Sequence, residues 1–231
     1  MAIDGARTFL DKFADPAAVA DYAAGPPRYV PGFADLHRMT GILLAEQVPD
    51  DAHILVLGAG GGLELRALAT AYPGWRFTGV DPARAMLDLA RGALGADARR
   101  AELIEGYIDD APSGPFDGAV CLLTLHFLDA AERTRTSVQI RDRLKPGAPF
   151  VAAHASFPQD ETRGQWLDRY AGFAIASGAD PVQAHGARDA VSAALNMLSP
   201  EGDEAVLRTA GFRDITPFYM AFTWRGWVSY A

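Results

Sequence analysis

Apolar and polar positions along the chain alternate between two periods, and the alternation predicts a layered α/β architecture. Ile54 to Leu57 is a continuous apolar run, as a central parallel strand covered on both faces requires. It breaks into glycines at Gly58, Gly60 and Gly62, and helix-period positions Leu65, Leu68, Ala69 and Tyr72 follow before Pro73-Gly74. Arg76 to Val80 reads as a second strand. Ala83, Met86, Leu87, Ala90 and Leu94 then give a helix with one apolar face. Glu102 to Glu105 reads as a third strand, Gly106 to Pro115 as a loop, and Phe116 to Leu125 as a long fourth strand. Asp129, with Glu132 three residues on, predicts a capped helix reaching Leu144; Lys145-Pro146-Gly147 stops it, and Phe150 to Ala153 is the fifth strand. Strands separated by helices of this length imply a doubly wound, mostly parallel sheet.

The flanks read differently. Residues 4–24 are short helical material broken at Asp15-Pro16, Gly25 to Arg28 is a stiff proline link, and Tyr29 to Gly32 is a turn. A helix from Phe33 to Gln47 leads into the first strand. After the fifth strand, 159–198 is largely helical, with Trp166, Tyr170 and Phe173 on one face and a second helix after Asp180-Pro181. Ser199-Pro200 opens another helix that Gly211 ends. Two strand-like runs, Ile215 to Thr223 and Trp227 to Tyr230, form a closing antiparallel hairpin around Trp224-Arg225-Gly226. We therefore divide one domain, 1–231, into an N-terminal helical cap (1–50), a core (51–156), a helical insertion or lid (157–198), and a helix with the hairpin (199–231).

Composition narrows the function classes. With 49% hydrophobic and 22% charged residues the chain is an ordinary globular one, and its net charge of −8 disfavours direct binding to nucleic acid or anionic membrane. Cys121 is the only cysteine, so no intramolecular disulfide or cysteine-rich metal site is available, and its apolar setting predicts a buried, inert thiol. The first residues lack the apolar core of a signal peptide and no apolar run is long enough to span a membrane, so a cytoplasmic protein is expected.

A strand turning into a helix through glycines lets a ligand approach the backbone, with N–H groups and the helix dipole aimed at it. The dinucleotide fingerprint Gly-x-Gly-x-x-Gly is not met, because Leu63 stands where its third glycine belongs. Asp81 ends the second strand, where a carboxylate accepts ribose hydroxyls; the alternative is a helix cap. Pro82 and Met86 would flank an adenine, with Tyr107 and Ile108 on its other side, and Leu122 would stand beside the rest of the ligand. His126, after the fourth strand, and His154, just past the fifth, are candidate bases, each with a packing alternative. Tyr29, Trp166 and Tyr170 are candidate substrate contacts. No metal site is expected.

Taken in order, Leu57 to Gly62, Val80-Asp81-Pro82, Glu105-Gly106-Tyr107, Phe116-Asp117, Leu125 to Leu128 and Leu144 to Gly147 resemble the class I S-adenosylmethionine-dependent methyltransferases. The resemblance implies a Rossmann-like seven-stranded sheet and S-adenosylmethionine as cofactor, with Gly58, Ala59, Gly60 and Gly62 cradling its methionine part. It also implies methyl transfer to a small-molecule acceptor. Two positions depart from the family pattern. Val56 replaces the acid usual two places before the first glycine, and Tyr107 replaces the acid often found after the third strand. Tyr29 to Phe33, Thr124 to Leu128, Ala210-Gly211-Phe212 and the aromatic tail are in turn similar to the carboxy-S-adenosylmethionine synthase group. That likeness implies a homodimer in which Arg188 holds an extra carboxylate across the interface; the alternative for Arg188 is a surface residue paired with Asp189. A nicotinamide-dependent oxidoreductase and a non-catalytic cofactor-binding domain stand as rivals.

Overall fold

In the computed structural model the described residues are 22–231, together with Phe13, Asp15 and Val19; the helical reading of 4–24 falls largely outside them. The chain runs through α1 (Pro26–Tyr29), α2 (Phe33–Ala45), β1 (His53–Leu57), α3 (Leu63–Ala71), β2 (Arg76–Asp81), α4 (Arg84–Leu94), β3 (Ala101–Glu105) and β4 (Gly118–Leu122). It continues through α5 (Ala130–Arg141), β5 (Pro149–Ala155), α6 (Arg163–Ala176), α7 (Pro181–Ala194), α8 (Pro200–Thr209), β6 (Arg213–Ala221) and β7 (Trp224–Tyr230). The strands form one seven-stranded sheet in the order β3-β2-β1-β4-β5-β7-β6. Pairings among β1 to β5 are parallel, and β7 runs antiparallel between β5 and β6.

The doubly wound sheet arises because successive residues of β1 point to opposite faces and both faces are apolar. Ile54 and Val56 join the core beneath α2, α3 and α6, whereas Leu55 and Leu57 join the core beneath α5 and α8. The order reverses at β1, whose neighbours are β2 and β4, and a crevice therefore opens beyond the carboxyl ends of these strands.

Several boundaries differ from the sequence expectations for identifiable reasons. Pro26 and Pro27 start a helical turn rather than a stiff link, since a proline φ suits the first positions of a helix. β4 ends at Leu122 because Leu123 takes a positive φ of 55° and Leu125–Phe127 curls into a 3-10 turn. β5 extends to Ala155, so His154 lies within the strand. The hairpin turns at Phe222 and Thr223, with Trp224 already paired to Ala155 in β7. No helix of the described residues is long and apolar enough to cross a membrane.

Candidate functional site

A cavity of about 960 Å³ occupies the crevice beyond β1, β2 and β4, at the upper end of the range for small-molecule sites. Its floor is the turn from β1 into α3. Gly58 has φ +79°, a left-handed conformation, and a side chain there would run into Thr124. A Cβ on Gly60 would stand 2.6 Å from Asp81 Oδ2 and 2.9 Å from Met86 Cβ. The turn thus brings bare backbone to the cavity wall, as a closely approaching ligand requires.

Its N–H groups, however, are engaged within the protein. Gly58 and Ala59 donate to Val80 O, Gly60 to Asp81 Oδ2 at 3.0 Å, Gly61 to Met86 O and Gly62 to Ala59 O. The expectation that these glycines present N–H donors to a ligand is therefore corrected: they contribute space and shape. Ala59 is buried beneath the turn, and neither it nor Gly62 lines the cavity. Gly62 is a packing position, since a Cβ there would meet Ala90 Cα of α4 at 2.6 Å.

Asp81 ties the turn to the next helix. Its Oδ2 accepts from Gly60 N–H, and its Oδ1 accepts from Ala83 N–H at 2.8 Å. Burial raises its pKa, and the two backbone hydrogen bonds oppose the rise. Asp81 does not cap α4, whose N-cap is Ala83 with no side-chain cap, and each carboxylate oxygen still has a second lone pair to offer. Pro82, Met86, Gly106, Tyr107 and Ile108 line one side of the cavity and Leu122 the base. Tyr107 is half-exposed and Ile108 buried. Together these surfaces form one side of the cavity beside the Asp81 carboxylate.

The two candidate histidines separate. His126 is buried and lines the cavity, and its Nδ1 accepts a hydrogen bond from Ala155 N–H at 3.2 Å. The neutral ring then carries its proton on Nε2. Burial, reinforced by the nearby His154 and Arg133 side chains, holds its pKa well below the usual value. His126 is therefore a neutral hydrogen-bond donor at neutral pH; with Nδ1 occupied it does not serve as the expected base. His154 does not line the cavity. It packs against Trp227, and its Nε2 stands 3.1 Å from Asp203 Oδ1 within a closed cluster with Arg133, which removes it from the candidate bases.

The substrate candidates also divide. Tyr29 and Tyr170 meet in the cavity wall, ring centroids 5.1 Å apart. Trp224 joins them and holds Tyr29 in place, its Nε1 donating to Tyr29 O at 2.9 Å. Trp166 lines a separate shallow depression with Arg169, Met220, Phe222 and Arg225. Arg188 lies on the outside of α7, paired with Asp168 at 3.0 Å and Asp189 at 2.8 Å, and does not line the cavity.

Sequence reasoning passed over four groups in the cavity lining. Tyr22 packs over the glycine turn, so a Cβ on Gly61 would collide with its ring. Leu123 carries strained backbone at the tip of β4. His37 is buried on α2, and burial, with Arg66 nearby, lowers its pKa to about 4. Glu64 is buried in the first turn of α3, where burial and, to a smaller degree, the Asp81 charge raise its pKa to about 8, its own backbone N–H opposing. Only Glu64 left a trace in the sequence, as an acid between two leucines on the apolar side of a helix. Among the described residues no cluster of histidine, cysteine, aspartate or glutamate could hold a metal ion.

Comparison with known proteins agrees with this geometry. Residues 55–150 match a methyltransferase domain family. The carboxy-S-adenosyl-L-methionine synthase of Chromohalobacter salexigens is 28% identical over 235 residues, covering 96% of this chain and 86% of that protein. Among solved structures, an O-methyltransferase family protein from Burkholderia thailandensis superposes with a TM-score of 0.69 at 17% identity, covering 95% of this chain and 61% of that one. Human N-acetylserotonin methyltransferase in complex with S-adenosylmethionine superposes with a TM-score of 0.64 at 15% identity, covering 96% and 58%. The chain thus spans about three-fifths of the length of those two structures. The matched stretch takes in the end of β1, the glycine turn and Asp81, and over those residues the chain is similar to methyltransferase domains.

Proposed function

We propose that the protein transfers the methyl group of S-adenosylmethionine to an uncharged, largely apolar small molecule. The observation that carries this reading is the cavity wall away from the glycine turn. Phe33, Phe157, Leu167, Tyr29, Tyr170 and Trp224 line it. The one arginine among the described lining residues, Arg135, is already bound by both oxygens of Asp109 at 3.0 Å and by Glu132 at 3.1 Å. A carboxylate-bearing substrate entering such a wall would lose its hydration without gaining a cation.

In this reading Asp81 accepts the ribose hydroxyls, Pro82, Met86, Tyr107 and Ile108 enclose the adenine, and Gly58, Gly60 and Leu122 shape the space for the methionine part. The cofactor, when bound, supplies a methyl group already activated on a sulfonium. The protein therefore has mainly to align the acceptor and exclude water. The Tyr29–Tyr170–Trp224 surface would orient the acceptor, and the His126 Nε2–H would hydrogen-bond a polar atom on it. Helices α6 and α7 of the 157–198 insertion contribute Leu167, Tyr170, Gln183 and Val191 to the wall, which supports a lid role. The acidic net charge supports a small-molecule partner rather than a nucleic acid.

A second reading, a carboxy-S-adenosylmethionine synthase, is favoured by similarity along 96% of the chain. It needs a cation near the methyl position, which Arg188 of this subunit does not provide; a homodimer would have to supply it. Mass spectrometry of ligand released from the purified protein separates the two. S-adenosylmethionine or its demethylated product is expected, and a carboxylated sulfonium would overturn the transferase reading.

A further inference from the structure

Glu64 is an unusual side chain for this cavity. It is buried at 6% exposure and lines the same wall as Gly58, Gly60 and Asp81. Its carboxyl leans on its own backbone N–H, and no lysine, arginine or histidine pairs with it among the described residues. The groups whose charges reach it are acidic or neutral: Asp81 at the tip of β2, Tyr22 over the glycine turn and Cys121 in β4. A buried carboxyl without a cation costs folding free energy, so its place is best explained by something that enters the cavity. At β1 the neighbouring position toward the turn, Val56, is wholly buried and apolar, leaving no acid on that strand to share the task.

We propose that Glu64 is the cofactor-binding anion that holds the ammonium group of the methionine part of S-adenosylmethionine. The inference rests on the cofactor assignment above. An ammonium offers three hydrogen-bond donors to a carboxylate, whereas a sulfonium offers none, and a buried carboxylate requires both charge and hydrogen bonds to be compensated. Ligand entry would convert Glu64 from its neutral acid to the carboxylate, with its proton passing to solvent.

Three ligands resolve the point by calorimetry. S-adenosylmethionine carries ammonium and sulfonium, S-adenosylhomocysteine only the ammonium, and 5′-methylthioadenosine neither. Glu64→Gln should weaken the first two by roughly ten- to a hundredfold, the range of a charged hydrogen bond, and leave the third unchanged. Titrations of the unaltered protein at pH 7 in buffers of different ionisation enthalpy should show about one proton released with either of the first two ligands and none in the Gln variant. At pH 9 the release should give way to proton uptake, because Glu64 is then ionised beforehand while the free ligand's amino group is largely neutral and must gain a proton to bind as ammonium. An unchanged S-adenosylhomocysteine affinity, or proton release that persists in the variant, would overturn the role of Glu64 while leaving the cofactor assignment intact. Failure of all three ligands to bind the unaltered protein would overturn both. The proton measurement needs no variant, so a misfolded Gln protein would not remove the test.

Discussion

Two buried carboxyl groups, Asp203 and Glu64, meet opposite fates in this protein. Asp203 on α8 is 1% exposed and paired with Arg133, itself wholly buried, and with His154. Burial pushes its pKa up, but the cations around it outweigh burial and bring it down to about 2. Arg133 also donates to Leu128 O at 3.2 Å and Asn196 O at 3.0 Å, pinning the segment after β4 to the end of α7. Glu64, buried to a similar degree, has no such company and moves the other way, to about 8. The first carboxylate has its charge neutralised within the fold and acts as a clamp behind the cavity wall. The second faces a cavity and awaits a positive charge from outside. Burial alone therefore does not mark a binding residue; burial without an internal counter-ion does.

The largest effect should come from breaking the clamp. Asp203→Ala strands Arg133 as an unpaired buried charge and should cost about 3–5 kcal/mol of folding stability, read from urea unfolding. A loss below ~1 kcal/mol would show that water reaches the cluster and that the contrast with Glu64 is false.

The pH dependence should carry opposite signs at the two sites. The folded-state pKa of Glu64 lies above its unfolded value of 4.5, so the folded chain holds the proton more tightly. Its contribution to stability is then greatest below about pH 4.5 and is lost as pH rises toward about 8. Glu64→Gln should remove that slope and be more stable than the unaltered protein at pH 8 in thermal melts without ligand. Asp203 works in reverse: its contribution is present above about 3.8 and fades as pH falls through about 2. Parallel melting curves for Glu64→Gln and the unaltered protein between pH 5 and 8 would refute the Glu64 side of the comparison.

The smallest effect is expected at Arg188, whose partners are both exposed. Arg188→Ala should change stability by less than ~0.5 kcal/mol and leave S-adenosylmethionine affinity unaltered in the same calorimetric assay. Altered composition of the bound ligand in that variant would instead favour the dimeric synthase reading.

The strand-to-helix order was legible because periodicity is local. The apolar run of β1, the glycines after it and the amphipathic α4 each announce themselves within a dozen residues. Asp81, Met86, Tyr107 and Ile108 could be placed at the cavity for the same reason, since they follow directly from strand ends in a parallel sheet. The misses share another cause. His154 and His126 are both near strand tips, yet two residues of additional β5 pairing and a backbone N–H on Nδ1 gave them different work. Trp166 and Tyr170 sit one helical turn apart, but only Tyr170 reaches the cavity.

By itself the sequence determined the layered, mostly parallel sheet and the residues bordering the glycine turn, because these depend on backbone periods and on side chains absent where the chain must turn tightly. Tertiary structure alone decided which acids have counter-ions. Arg133 and Asp203 are 70 positions apart, and the pairing that silences one carboxyl and leaves another unpartnered depends on what distant segments bring into contact. Charge in a low-dielectric interior is set by neighbours in space, and no local pattern encodes them.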